Sequence, residues 1–359
     1  MLTANELGQY SYFSGLSSSA LEELAGRLES VQFPAGARIL RQGAPPDYFY
    51  FVEKGEIEVT RRNQFGQEAM LRVLSGGQGF GETALLACSH RTCLVTARTD
   101  SVLLRLGKKD FEDVVLMDSA FKGVLMQRSA ENTAYNRVKS YRPFALLDPE
   151  KMLALADKLT EERFGQGEDI IRQGDPPGPY YIIKSGRVSV LKGKQGQVPE
   201  QVAVLSEGES FGEEAIIRDQ GRNATVRAVD ETTVLSLTKK DFNKILLASY
   251  LQHTFPEDIS MEERGMFVFI DARVPAEYEE EHIEGAVNIP IEALRGRYPE
   301  LDPGQEYLTY CTNDSRGMAA AFLLGVNGFK AKCLRGGLSG WTGPVTSSSD
   351  GIHLPVVTA

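Results

Sequence analysis

Hydrophobic positions change their rhythm once along the chain. Up to about Leu251 they come in short runs and alternations punctuated by glycine. Tyr48-Phe49-Tyr50-Phe51-Val52 and Tyr180-Tyr181-Ile182-Ile183 are aromatic and β-branched, the composition strands prefer. Gly55 and Gly186 then precede Glu56-Ile57-Glu58-Val59 and Arg187-Val188-Ser189-Val190, which alternate as half-buried strands do. Short strands between glycines predict a small β-barrel or jelly roll. Helices flank it: Ser17 to Leu28 carries a serine cap and leucines at i, i+3, i+4 spacing, and Pro149 to Leu159 takes the same place further on.

Beyond Leu251 the pattern is different. Pro256-Glu257-Asp258-Ile259-Ser260 reads as a polar linker, and Met266 to Ile270 as a fully buried strand of the parallel type. Pro275-Ala276-Glu277-Tyr278 opens a helix with proline in its first turn. A second apolar strand, Tyr307 to Tyr310, leads to Cys311, a polar loop and a helix from Met318 to Leu324. Strands alternating with helices predict an α/β unit with a parallel sheet.

The first part is also a repeat. Phe33 to Gly43 matches Phe164 to Gly174, and the offset of 131 residues (Gly43 against Gly174) carries Gly55 onto Gly186. It carries Phe80-Gly81-Glu82 onto Phe211-Gly212-Glu213, Arg91 onto Arg222, and Lys108-Lys109-Asp110-Phe111 onto Lys239-Lys240-Asp241-Phe242. One domain duplicated in tandem explains a register that needs no gap. The expected organisation is therefore 1–130, 131–253 and 254–359.

Composition narrows the function classes. With 49 acidic residues against 39 basic ones, the net charge of −10 argues against a nucleic-acid surface. No apolar run approaches a membrane span, and the start Met1-Leu2-Thr3-Ala4-Asn5-Glu6 lacks a signal peptide's basic and apolar regions. Four cysteines without a Cys-x-x-Cys pair suggest neither a disulfide framework nor a metal site, and they fit a reducing, cytoplasmic setting.

Two segments carry chemistry. In each repeat a glycine is followed by one helical turn, Gly81-Glu82-Thr83-Ala84 and Gly212-Glu213-Glu214-Ala215, whose free backbone N–H groups suit an anion. Arg91 and Arg222, nine residues past the glutamates, can add a bidentate contact to a phosphate. A glutamate cannot hold that phosphate, but it can accept from a ribose hydroxyl. In the last third, Cys311 stands at the carboxyl end of a buried strand, where open α/β sheets bind their ligands. The loop Thr312-Asn313-Asp314-Ser315-Arg316, a helix dipole and the guanidinium would all favour a thiolate there. Cys333, Cys88 and Cys93 read instead as small buried hydrophobes.

On Phe-Gly-Glu-x-Ala followed by Arg91 and Arg222, residues 10–125 and 140–250 closely resemble the cyclic-nucleotide-binding domain family. The resemblance implies cAMP or cGMP as ligand and no required cofactor. Glu82 and Glu213 would take the ribose 2′-hydroxyl, and Arg91 and Arg222 the cyclic phosphate. Gly81, Ala84, Gly212 and Ala215 would supply backbone amides or close approach, with Thr92 and Asn223 flanking phosphate and base. His90 and Gly221 stand where proline is common, Leu94 where threonine is usual, and Glu214 adds a negative charge near the phosphate.

Residues 255–341 resemble the rhodanese family through Asp271-x-Arg273-x-x-x-Glu277-Tyr278, His282-Ile283-x-Gly285-Ala286-x-Asn288-Ile289-Pro290, Cys311 with Arg316, and Leu334-x-Gly336-Gly337-x-x-x-Trp341. That resemblance implies a sulfurtransferase in which Cys311 carries sulfane sulfur as a persulfide between a donor and a thiol. Arg316 would orient the donor anion, and Asp271, Arg273 and His282 would be structural. Asp314 and Gly317 replace the usual glycine and serine of the loop. A left-handed Asp314 would let the loop close, and its carboxylate would weaken thiosulfate-like donors. The acidic stretch Glu277 to Glu281 reads as a solvated face.

Neither barrel is followed by a helix-turn-helix, and the tail Thr342 to Ala359 gives no functional signal. The combined expectation is a nucleotide-regulated sulfurtransferase, with a homodimer an open option. The alternative is a non-catalytic, cyclic-nucleotide-responsive adaptor with a silenced rhodanese module.

Overall fold

The structure is a computed structural model in which residues 2–347 are described, apart from 14, 194–197 and 261; the tail from 348 onward lies outside the described residues. It divides into two units, Met1–Met152 and Leu153–Ala359. Among the described residues no helix is long and apolar enough to cross a membrane.

In the first unit, strand Tyr48–Lys54 explains its own run of aromatics. Successive strand side chains point to opposite faces, and both faces here are covered. Phe49 and Phe51 pack outward with Leu7, Phe13, Phe111 and Phe121 of the flanking helices, whereas Tyr50 and Val52 pack inward with Ile57, Val59, Leu71 and Val95. Two antiparallel four-stranded sheets enclose that inner core. One contains Glu29–Phe33, Ser101–Gly107, Tyr48–Lys54 and Gly79–Phe80; the other contains Arg38–Leu40, Leu94–Ala97, Ile57–Arg62 and Glu68–Leu74. Helices Lys108–Met117 and Ser119–Lys139 follow the barrel. The second ends on a fully buried Lys139, whose Nζ donates to the carbonyls of Phe144 (2.7 Å), Ala145 (2.9 Å) and Leu147 (2.7 Å) and so caps the next turn.

The second unit begins with the repeat of that barrel. Its sheets order Ser210–Phe211, Tyr180–Ser185, Thr232–Leu237, Thr160–Phe164 and Asp169–Ile171, Thr225–Ala228, Arg187–Lys192, Glu200–Ser206. Tyr181 and Ile183 face its interior, while Tyr180 turns out onto Phe242.

No spacer separates this barrel from the α/β part of the same unit. The barrel's last helical residues, Ala248–Tyr250, run into strand Gln252–Thr254, which pairs in parallel with Lys330–Leu334. The sheet continues through Glu306–Tyr310 and Phe267–Asp271 to Val287–Asn288, all parallel. The expected polar linker at Pro256–Ser260 is therefore corrected. Pro256 and Ile259 are buried, and Ile259 joins the core with Phe269, Leu308, Tyr310 and Leu334. Its polar letters misled because the acidic Glu257 and Asp258 face water while their apolar neighbours do not.

Helix Ser315–Val326 is apolar on every side, and Ala319, Ala320, Ala321, Phe322, Leu323, Leu324 and Val326 are all buried. A helix hydrophobic all round needs two covers. One is the sheet beneath it, at Glu306–Tyr310 and Lys330–Leu334; the other is the barrel's short helix Glu213–Arg218. Phe322 meets Phe242, Tyr250 and Tyr180 edge-on, at ring distances of 5.2, 6.0 and 6.5 Å.

Candidate functional site

The two barrels build the same small machine. Gly81 and Gly212 cap the helices Glu82–Leu86 and Glu213–Arg218 in left-handed conformation, φ 92° and 94°. A side chain would be strained there, and a Cβ at either glycine would sit 2.8 Å from the arginine's Nη1. That close approach is used: Arg91 Nη1 donates to Gly81 O at 2.8 Å and Nη2 to Tyr48 O at 2.5 Å. Arg222 repeats both bonds, to Gly212 O (2.8 Å) and Pro179 O (2.7 Å), each acceptor displaced by the repeat offset. Glu82, Arg91, Glu213 and Arg222 are all buried. Burial is the main cause pulling both guanidinium groups below their usual range, and Arg91 Nε is buried without a partner. A buried cation with a free donor at a cluster of helix-turn N–H groups suits an anion.

In the first unit these residues line a cavity of about 500 Å³, counting space open to solvent, with Thr83, Ala84, Thr92, Val59, Leu74 and Val95. Sequence reasoning missed three further lining residues, Arg72, Asn132 and Asn136. Asn132 and Asn136 sit one turn apart on helix Ser119–Lys139, a spacing that puts them on one face. Arg72 bonds Asn132 and reaches Asn136 at 3.4 Å, and Asn132 Nδ2 donates to Glu82 Oε1 at 3.4 Å. Cys93 belongs to this rim, half-buried beside Thr92 and Asn136 and packed against the inner core, whereas Cys88 is exposed, so the expectation of a buried hydrophobe is corrected for Cys88. Cys88 comes just after the cassette helix, where the chain is turning at the surface.

In the second barrel Glu214 does not stand as a free negative charge. It pairs with Arg218 at 2.6 Å and accepts from Asn223 Nδ2 at 2.6 Å, and burial raises its pKa. Glu213 has an unforeseen partner: its Oε1 accepts from Arg295 of helix Ile291–Arg297, while its Oε2 is buried with no partner. No sequence pattern pointed to Arg295, since nothing local links it to a glutamate 82 residues earlier.

Cys311 is 1% exposed at the end of strand Glu306–Tyr310. Its loop is clamped from the far side, where Leu338 N donates to Cys311 O (2.8 Å) and Ser339 N to Thr312 O (3.0 Å). The clamp requires Gly337, whose Cβ would fall 2.3 Å from Cys311 O. The Cys311 thiol lies 3.8 Å from Asn313 Oδ1, which also accepts from Asp314 N at 2.9 Å, and Arg316 acts on the same thiol. Ser315 opens the following helix. Asp314 is not left-handed (φ −119°); its carboxylate accepts from Gly336 N at 2.7 Å and lies 3.3 Å from Arg335 Nη1.

Arg316 is gripped by both oxygens of Glu277, at 2.5 and 2.7 Å, and Thr312 Oγ1 joins the same carboxylate at 3.3 Å. Arg316 holds Glu277 down to about 2. The reading of Glu277 to Glu281 as a solvated face is thus corrected at its first residue, while Glu279, Glu280 and Glu281 are exposed. Glu277 stands in the helix's first turn, where its carboxylate reaches Arg316 and Thr312 of the Cys311 loop.

Asp271 and Arg273 form a buried bidentate pair, closest at 2.7 Å. His282 is stacked on Tyr278 with Nδ1 2.7 Å from Tyr278 O, as a packing residue is. Cys333 is fully buried against Asp314 O and its thiol is pushed far up by burial.

Comparison with known proteins matches two families along the chain. The cyclic nucleotide-binding domain model matches residues 30–118 and 161–249, and the rhodanese-like domain model matches 258–344. The cAMP-dependent protein kinase regulatory subunit of Blastocladiella emersonii is 28% identical over 68% of this chain and 60% of its own length. The cGMP-dependent protein kinase of Eimeria tenella is 30% identical over 69% of this chain and 23% of its own. Among solved structures, the regulatory domain of Toxoplasma gondii PKA with cAMP aligns with a TM-score of 0.31 and 27% identity, over 67% of this chain and 90% of that one. This chain thus spans at most 60% of those two relatives.

Proposed function

Since the chain carries two cyclic nucleotide-binding domains followed by a rhodanese-like domain, we propose that it is a sulfurtransferase governed by cAMP or cGMP. The observation that carries the reading is the twice-built cradle, in which a left-handed glycine, a buried glutamate and a buried arginine recur with the same two carbonyl contacts. An anion with an adjacent ribose matches it: the phosphate takes the helix-turn amides and the arginine, and a ribose hydroxyl donates to the glutamate. On binding, the guanidinium exchanges neutral carbonyl acceptors for an anionic phosphate, a stronger pairing.

The catalytic half rests on Cys311. Its thiolate attacks the outer sulfur of a donor, the donor's S–S bond breaks, and the donor leaves with that electron pair. The Cys311 persulfide then gives its outer sulfur to an acceptor thiolate, and the Cys311 thiolate returns with no net oxidation. The clamp on the Cys311 and Thr312 carbonyls holds the loop for both steps. Glu277 neutralises much of Arg316, which favours thiol-bound persulfide donors over thiosulfate.

The test is mass analysis of Cys311 after exposure to thiosulfate and to a low-molecular-weight persulfide, with and without saturating nucleotide. Persulfide on Cys311, absent from Cys311→Ser and formed at a nucleotide-dependent rate, is the expected result. Nucleotide binding with no persulfide from either donor would make the chain an adaptor.

A further inference from the structure

The residue that meets Glu213 does not come from the barrel. Arg295 lies in the last turn of helix Ile291–Arg297, which belongs to the rhodanese-like part, and its guanidinium donates to Glu213 Oε1. The carboxylate is buried, and Oε2 has no partner, so Arg295 is the cation that compensates it. Glu292, one turn earlier, adds a second tie to the barrel, 3.8 Å from Lys192 Nζ on strand Arg187–Lys192. The first barrel has no such arrangement among the described residues. Glu82 is met at 3.4 Å by Asn132 and at 3.3 Å by Thr83, both neutral and both from its own unit.

We propose that Arg295 is a built-in occupant of the ribose position of the second nucleotide site, which the ligand must displace and which thereby couples that site to the Cys311 loop. The inference rests on the nucleotide reading given above. A ribose hydroxyl that donates to Glu213 takes the place of an arginine, exchanging a bond between two opposite charges for one between a neutral hydroxyl and the carboxylate. The second site therefore binds more weakly than its cradle alone would, by the free energy of the Arg295 contact. The displaced arginine does not move by itself. Helix Ile291–Arg297 packs on helix Ser315–Val326, which also packs on the cassette helix Glu213–Arg218 and begins directly after Asp314 of the Cys311 loop. Two elements that a ligand at Glu213 disturbs thus pack on one helix leading from the Cys311 loop, beside the sheet that covers its other face. Linkage is reciprocal: the effect of nucleotide on this helix is matched by the effect of the helix on nucleotide affinity.

The experiment uses the full chain with Arg91→Ala, which leaves the second barrel as the arginine-bearing site. cAMP and cGMP are titrated by calorimetry, and sulfur transfer is followed with and without each. Adding Arg295→Ala should tighten binding about ten-fold, roughly the weight of one charge-assisted contact, and should abolish the nucleotide dependence of sulfur transfer. Arg295→Lys, which keeps the charge, should stay near the parent. Thermal melting is run alongside. If Arg295→Ala lowers the melting temperature severely, Arg295→Gln, with a similar reach and no charge, is read instead and should also tighten binding. Unchanged or weakened nucleotide affinity in the well-folded variant would overturn the inference while leaving the nucleotide reading intact. No binding of either nucleotide, with or without Arg295, would overturn the nucleotide reading of the second barrel and this inference with it.

Discussion

Glu277 illustrates what a single side chain decides. Its carboxylate grips Arg316, the arginine assigned to the donor anion in the proposed reaction, so replacing it should release that guanidinium. Glu277→Gln is expected to raise kcat/KM for thiosulfate several-fold, checked by steady-state assay; a fall would mean that Glu277 positions Arg316 for the donor. The same pair sets a pH window. The folded carboxyl titrates near 2 against an ordinary 4.5, so its contribution to stability is complete above 4.5 and lost as pH falls toward 2. Urea midpoints of parent and Glu277→Gln should differ at pH 7 and draw together as pH falls from 4.5 to 2 and below. At this scale the sequence was readable where chemistry is local. The glycine, glutamate and arginine of each cassette announce themselves by spacing, and Cys311 by its place at a strand end. Arg295 and Asn132 were not readable, because their value comes from a partner far along the chain.

Elements were legible in proportion to how many neighbours cover them. The alternation in Ile57–Arg62 gave a half-buried strand at once. Strand Tyr48–Lys54 was found by its aromatics, but that its two faces serve two different cores emerges only from the packing. Helix Ser315–Val326 is the stronger lesson. It was found only from Met318 to Leu324, and its second cover beyond the sheet, supplied by the barrel, emerges from the packing. Phe322 is the side chain on which this contact turns, since it touches rings from three elements of the barrel and its exit helix. Phe322→Ala should therefore cost about 3–5 kcal/mol in urea unfolding of the C-terminal unit. A cost below about 1 kcal/mol would show that the barrel contributes little to holding this helix.

On the scale of the molecule, the repeat and the change of pattern after Leu251 gave the order of the modules, and the misread linker shows where such reading fails. A short segment with acidic letters looks like a spacer unless its apolar residues, Pro256 and Ile259, are known to be buried. The sheet's outer strand, Gln252–Thr254, lies before that segment. A fragment starting at 258, where the family match begins, should thus be less stable than one starting at 251, with lower soluble yield and a lower melting temperature on side-by-side expression. Equal behaviour would mean that the outer strand contributes nothing to the sheet.

That strand also has a place in time. Thr254 leaves the ribosome 80 residues ahead of Leu334, its partner in the sheet. While the intervening chain is being made, a completed barrel carries on its last helix a strand with nothing to pair with, an edge open to any other unfinished chain nearby. Until Lys330–Leu334 arrives, the outer strand of the sheet is therefore an edge that only a late part of the same chain can close.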